Sequence, residues 1–453
     1  MAKRRAAVAG GGLAGLACAK RLADAGWEVT LVEGLPYLGG RASTYRDADG
    51  DWIEQGLHLF LGAYSEFKGL MREVGSDPEQ VLVWMDEIRL QDPEGSVQAV
   101  YGINPLTAPV RTLLKVLGQN DYLGPLDKLS LLPFAAPALL PLETLRERYD
   151  HLTVSEWWSR SNGDRTVFER FVRPFCRAIQ FSEPEQFSAF NLLGWIHNTL
   201  YDLPNARVAG YRGARDEIIF QPIARYLESR GVSIRTGVKL QEIDYPQASP
   251  GAVQGFVLEN GERLKADCYV AALPVWNLVP LVPKGLRTVP FFAELEKLPV
   301  APAISVQLWF DREVVADELF TLVARSHSAV YQDVSRNAYP YGQGSRLSVI
   351  VSPADGLLGE PDASLVRRTV EELGRVQPSV AAAKVLKSVV IKHEKHLVRP
   401  LPGAMSRRPT QATPVRNLFL AGDWTQQPFF GSQEGAVRGG NACAKEILRA
   451  MPA

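Results

Sequence analysis

The sequence predicts an α/β fold. A Rossmann-like nucleotide-binding domain is assembled from separated stretches of chain and interleaved with a mixed α+β lobe. Three observations predict it. A glycine-rich turn stands between the apolar run Arg5 to Ala9 and a small-residue helix from Leu13; a second apolar run ends in Glu33; and a strand–turn–helix pattern returns between Asn417 and Ala450. The chain has 453 residues, 50 basic and 50 acidic side chains and 46% hydrophobic residues. That length supports two or three domains or one interwoven fold. Balanced charge argues against nucleic acid as a partner, because neutralising phosphates needs a basic excess. It also argues against disorder. Cys18, Cys176, Cys268 and Cys443 lie far apart with no metal-like spacing. Neither a disulfide scaffold nor a metal site is expected, and a reducing compartment fits.

Arg5 to Ala9 reads as a buried strand, Leu13 to Ala25 as a helix and Trp27 to Glu33 as a second strand. Pro105 to Leu145 is Leu/Pro-rich. Val154 to Phe171 and Ser188 to Tyr201 have helical character, and Gly231 to Ile243 returns to strand. Val253 to Pro274 reads as a hairpin turning at Glu259-Asn260-Gly261-Glu262, followed by the strand Cys268 to Leu273. Ala303 to Phe310 and Arg346 to Val351 are β-rich, Leu365 to Leu373 is helical, Asn417 to Ala421 is a buried strand and Glu434 to Ala450 a helix. Residues 1–100, 205–275 and 405–453 are assigned to the nucleotide-binding domain, and 101–204 and 276–404 to the second lobe. The segment after Met1-Ala-Lys-Arg-Arg superficially resembles an export signal, but Gly10, Gly11, Gly12 and Gly15 weaken its apolar helix. Leu129 to Leu142 is shorter than the ~20 residues that span a bilayer. Pro133, Pro137 and Pro141 oppose a regular helix there, so no transmembrane helix is expected.

The motifs carry the chemistry. Gly10-Gly11-Gly12-Leu13-Ala14-Gly15 is a G-x-G-x-x-G between strand and helix. Gly10 allows the tight turn, Gly12 lets the backbone approach a pyrophosphate, and Gly15 lets helix and strand pack closely. The helix start offers free N–H groups and a positive dipole. Glu33, at the end of the next strand, is placed to accept from a ribose hydroxyl. Gly39-Gly40-Arg41 follows at once, and Arg41 would offer a forked donor to phosphate. Such an extension suits an extended FAD better than NAD. At the other end, Gly422-Asp423 closes a strand, placing a carboxylate suited to a ribityl hydroxyl. A helix starting near Gly435-Ala436-Val437 would aim its dipole at the flavin pyrimidine.

Together these residues resemble the flavin-containing amine oxidase and carotenoid desaturase superfamily. More specifically, Gly56-Leu57-His58-Leu59-Phe60-Leu61-Gly62-Ala63-Tyr64 is similar to the G-L-H-x-F-x-G-A-Y stretch of plant/cyanobacterial-type phytoene and ζ-carotene desaturases. Leu152 to Trp157, Leu295 to Leu298, Trp309 to Arg312, Phe419 to Asp423 and Glu434 to Val437 extend the likeness through nearly the whole chain. The resemblance implies an FAD domain of the amine oxidase type, with FAD contacts also at Gly56, Leu57, His58 and Val238. It implies desaturation of an acyclic carotenoid precursor, 15-cis-phytoene or ζ-carotene, with a hydride passing to the flavin. Where those desaturases commonly have Tyr then Thr-Lys-Gln after Gly-Asp, this chain has Trp424-Thr425-Gln426-Gln427. Gly-Asp-Trp-Thr is similar to bacterial hydroxysqualene dehydroxylases, so that activity stays open beside an amine oxidase and a non-catalytic, FAD-stabilised membrane-surface protein.

No catalytic residue beyond the flavin is identified. His58 is the titratable candidate, read as lining the flavin without acid/base work. Arg173 and Arg177 could meet a cofactor head group or a quinone, or form a solvated face. Trp157, Trp158, Trp195 and Tyr201 suit an apolar tunnel or plain core. His393 and His396 have the wrong spacing for paired helical ligands, and no metal is expected. Only one dinucleotide fingerprint is visible, so a quinone rather than NAD(P)+ is the expected oxidant. The lipid-soluble substrate and the apolar stretch from Leu113 to Leu145, with Lys115, Lys128, Arg146 and Arg148, suggest a monotopic protein on one leaflet. Lacking a plastid-type transit sequence before the first strand, the chain reads as bacterial and placed on the cytoplasmic side of a membrane.

Overall fold

The computed structural model describes residues 3–85, 87–93, 97–102, 123–202, 205–246 and 251–452. Residues 113–122, the first part of the stretch read as membrane-associating, lie outside them. Among the described residues, five parallel strands stand in the order Ser233–Arg235, Glu28–Val32, Arg5–Ala9, Cys268–Ala271, Leu418–Leu420. Val8 lies level with Leu31 on one side and Val270 on the other. Their apolar runs are continuous because both faces are covered.

Alternation decides which cover each residue meets. Ala6, Val8, Val29 and Leu31 pack under Leu16 and Leu22 of the helix Leu13–Asp24 and Val437 and Ile447 of the helix Gln433–Ala450. Ala7, Ala9, Tyr269 and Leu418 pack on the opposite face against Leu240, Ile243 and Phe256. The latter belong to a small antiparallel sheet, Leu240–Asp244, Gly255–Leu258 and Arg263–Leu264, the last two forming the expected hairpin. The two helices touch backbone to backbone. A Cβ on Gly440 would lie 2.2 Å from the Ala14 carbonyl oxygen.

A second, seven-stranded sheet runs Val385–Val398, Val300–Phe310, Arg346–Val351, Ser328–Asp333, Thr321–Val323, Glu87–Asp92, Val97–Gly102. One face buries Ile304, Val306 and Leu308 under Leu365 and Leu373 of the helix Asp362–Val376. The other face turns Ala303 and Ser305 toward the cavity described below.

Several expectations change. Glu87–Asp92 falls inside the 1–100 stretch assigned to the nucleotide-binding domain and Val97–Gly102 straddles its end, yet they pair into the seven-stranded sheet. The segment read as one strand from Gly231 divides at Gly237, whose φ is +69°, into strands of two different sheets. The Val154 to Phe171 helix is interrupted after Arg160, where Asn162 adopts φ +53° and Asp164 caps a new start. Pro133 does not break its segment. It sits in the helix Pro125–Ala135, which tightens into a 3-10 turn at Ala136–Leu139.

Two glycine-to-alanine substitutions separate packing from helix propensity. Gly69 in the helix Ser65–Glu73 has open space where its Cβ would go, so Gly69→Ala should gain up to ~1 kcal/mol. Gly440→Ala must push two backbones apart and should lose ~1–3 kcal/mol despite the same propensity gain. Denaturant melts of both variants check the signs.

Candidate functional site

A cavity of about 1050 Å³ lies between the two sheets. Ala9, Val32, Ala272 and Ala421, at or just past the carboxyl ends of the parallel strands, line one side, and Ala303, Ser305 and Ile350 line the other. This is where open parallel sheets place ligands.

The three glycines of the fingerprint differ in their surroundings. Gly10 sits at φ +111° and a Cβ there would lie 2.3 Å from the Ala272 carbonyl oxygen. On Gly15 a Cβ would lie 1.9 Å from the Gly10 carbonyl oxygen. Gly12 has nothing near its missing side chain and, with Leu13 and Ala14, lines the cavity. Glu33 lines it too, while its carboxylate accepts from the backbone N–H groups of Gly11 (2.7 Å) and Leu35 (2.8 Å). It therefore ties the glycine loop to the strand end and still has lone pairs for a further donor. Gly39 donates its N–H to the Gly11 carbonyl at 2.9 Å, and Gly39 and Gly40 also line the cavity.

Arg41, expected to offer a forked donor to phosphate, also has protein partners. Its guanidinium donates to Asp423 Oδ1 at 2.5 Å and to the His396 carbonyl at 2.8 Å. The G-G-R and G-D motifs are thus one ion pair on the cavity wall, with spare N–H groups on Arg41 and a second oxygen on Asp423. Sequence reasoning missed Arg408, fully buried, which donates to the carbonyls of Asp423, Trp424, Thr425 and Gln427. Burial brings its pKa down to about 9. The C-terminal helix begins at Gln433, not Gly435, capped by Ser432 Oγ on the Gly435 N–H. Ser432, Gln433 and Ala436 bring that helix start to the cavity. Glu434 instead accepts the N–H groups of Glu66 (3.0 Å) and Phe67 (2.8 Å).

Gly15, Val238, Gly435 and Val437 stand behind the wall rather than on it. A Cβ on Gly435 would meet the Phe429 carbonyl at 1.9 Å, Val238 donates its N–H to the Glu33 carbonyl at 2.8 Å, and Val437 is fully buried in the core. Gly56, Leu57, His58, Gly422 and Asp423 do line the cavity.

His58 Nδ1 lies 2.7 Å from the Gly56 carbonyl oxygen, so it carries the proton. Burial, then the nearby Arg215, brings its pKa down to about 3. His393 and His396 stand on the strand Val385–Val398, rings 5.0 Å apart, both held neutral chiefly by burial. Neutral rings at these positions rule out proton donation by imidazolium near pH 7. Arg173 and Arg177 are half-buried and stand off the cavity lining. They are paired with Glu169, Glu183 and Glu185. Of the four aromatics, Trp195 alone lines the cavity; Trp157 and Trp158 pack in the core and Tyr201 is exposed.

Comparison with known proteins decides the family. The family of flavin containing amine oxidoreductases matches residues 13–448. The chain belongs to it. The 15-cis-phytoene desaturase of Narcissus pseudonarcissus is 32% identical over 98% of this chain and 79% of its own length. The ζ-carotene desaturase of Synechocystis is 30% identical over 98% of this chain and 97% of its own. A solved oxidoreductase from Methanosarcina mazei, 17% identical, shares the fold with a TM-score of 0.73 over 97% of this chain and 100% of that one. This amine oxidoreductase family member is an FAD-dependent oxidoreductase. Open space at Gly12 and two helix starts facing one cavity fit that cofactor.

The buried histidines set an acid limit on the flavoprotein fold. An unfolded imidazole binds its proton below pH 6.5, whereas folded His58 does so only near pH 3. Between those values the unfolded chain holds more protons, so stability falls as pH drops from 6.5 toward 3 and is unaffected by this group above 6.5. Denaturation midpoints of wild type and His58→Asn should converge on the acid side, the variant losing stability less steeply. Parallel curves would remove His58 from the effect.

Proposed function

We propose that the chain is an FAD-dependent desaturase of an acyclic carotenoid precursor, 15-cis-phytoene or ζ-carotene. The observation that carries this reading is the likeness to desaturases of both kinds over 98% of the chain. The cavity supports it. Its polar end, at the glycine loop and Arg41–Asp423, passes into an apolar end lined by Ile88, Phe175, Trp195, Phe320, Leu322 and Val330.

In this reading Gly10, Gly12, Leu13, Ala14 and Gly15 form the pyrophosphate loop and Glu33 takes the adenosine ribose, with Val238 behind it. Gly39, Gly40 and Arg41 extend the phosphate side, and Gly422 and Asp423 meet the ribityl chain. The helix start at Gly435, Ala436 and Val437 directs its dipole to the pyrimidine, beside Gly56, Leu57 and His58. When bound, FAD supplies hydride acceptance from an allylic C–H. The chain's own residues align the polyene and exclude water, and neutral His58 stays out of proton transfer. A quinone that enters by the substrate's route is the electron acceptor, since the single fingerprint is used by FAD. Access from one membrane leaflet is supported by Leu129, Leu132, Leu139 and Tyr201, all more than half exposed. Leu200 beside them lines the cavity, and Tyr201 donates to the Leu139 carbonyl at 2.9 Å. No helix among the described residues is long and apolar enough to cross a membrane. The reading places the chain peripherally on the cytoplasmic side of a membrane.

Expression in a bacterial host that accumulates phytoene should yield more desaturated pigments, and unchanged phytoene and ζ-carotene pools would end the reading. Glu33→Ala should weaken FAD binding by ~1.5–3 kcal/mol, the loss of a charge-assisted hydrogen bond, seen as lower flavin absorbance per chain. In liposome flotation the protein should rise with vesicles, and paired Leu129→Ser and Leu132→Ser substitutions should leave it in the soluble fraction.

A further inference from the structure

Two successive backbone carbonyls fix two histidines that approach from different lobes. The Gln55 carbonyl accepts from His393 Nε2 at 2.7 Å, and the Gly56 carbonyl accepts from His58 Nδ1 at 2.7 Å. A carbonyl oxygen can only accept, so each ring spends its one N–H there. The other nitrogen of each, His58 Nε2 and His393 Nδ1, is left as a bare lone pair with no donor among the described residues. Both rings line the cavity, and burial keeps both neutral, so neither lone pair becomes a donor near pH 7. His393 stands opposite Ala303 in the seven-stranded sheet, on the face that borders the same cavity.

An apolar hydrocarbon, a quinone and an ether share one property. None carries an O–H or N–H, so none can satisfy these acceptors, and a desolvated lone pair left unmet is costly. An alcohol and a quinol do carry such a hydrogen. We propose that His58 Nε2 and His393 Nδ1 form a two-acceptor subsite for an O–H donor carried on an isoprenoid body, the hydroxyl of an isoprenoid alcohol or of a quinol. The proposal rests on reading the cavity as an isoprenoid site and adds what that site discriminates. It makes His58 and His393 selective for one hydrogen atom, with no proton transfer.

Equilibrium dialysis of the FAD-loaded protein tests it with two matched pairs. One is geranylgeraniol and its methyl ether; the other, kept anaerobic, is a decyl-tailed quinol and its quinone. The O–H member of at least one pair should bind about fivefold or more tightly, the worth of one hydrogen bond. Which pair discriminates identifies the source of the hydroxyl. In His393→Leu the ratio should fall toward one with FAD content unchanged, and His393→Asn, which restores an acceptor, should recover part of it. Ratios of one for both pairs in the wild type would overturn the subsite. So would discrimination that survives His393→Leu, or flavin lost from that variant, which would give the ring to the cofactor. A failed pigment experiment with the ratio intact would remove the carotenoid reading and leave the subsite standing.

Discussion

The site depends on one buried ion pair. Arg215 and Glu54, 1% and 3% exposed, meet at 3.0 Å. Two charges so removed from water are tolerated only when further hydrogen bonds support both partners. Here they do. Arg215 also donates to the carbonyls of Ala42 and Gly56, while Glu54 accepts from Tyr339 and Ser348. The pair consequently clamps the end of the G-G-R-A loop and the G-L-H stretch to the seven-stranded sheet. Gln307 adds to the clamp by bonding the Glu54 backbone on both sides. The Gly56 carbonyl that Arg215 holds is the same one that orients His58.

A second clamp works at the far end of the chain. Arg408 has no carboxylate within hydrogen-bond reach among the described residues and is solvated by backbone carbonyls instead. It thereby fixes the turn that carries Asp423, and Asp423 fixes Arg41. The cavity wall is preorganised by cations that never need to touch a ligand. Preorganisation of this kind matters where the cofactor carries the reaction and the protein supplies alignment.

Much of this was legible in the sequence where local geometry dictates residue type. Gly10, Gly12 and Gly15 are required by close approaches within a few residues of chain, and Glu33 and Asp423 by their places at strand ends. Long-range pairing was not legible. Nothing near Arg215 or Glu54 in the sequence points to a partner 161 residues away. Arg41 reads as a phosphate ligand because its carboxylate lies 382 residues on. Arg173 and Arg177 read as free for the same reason, although acids six to twelve residues downstream engage them. Around His393 and His396 the sequence argues against a paired helical site but does not mark the fourteen-residue strand Val385–Val398, whose half-exposed edge lacks a continuous apolar run. Pro133 shows the opposite error, a local rule overridden where a helix was about to tighten anyway.

The order of strands in the parallel sheet also has a meaning in time. Leu418–Leu420 completes that sheet beside Cys268–Ala271, and the last helix lies on the first, with Arg21 Nε bonded to Asn441 Oδ1 across 420 residues. During synthesis the glycine loop emerges first and its covering helix last. At ~5–20 residues per second that interval is about 20 to 80 s. For that period the nascent chain holds an apolar sheet face without its roof and a nucleotide loop without its far wall. A chain that stalls before Gln433–Ala450 would therefore leave Leu16 and Leu22 uncovered and the cavity without Gln433 and Ala436.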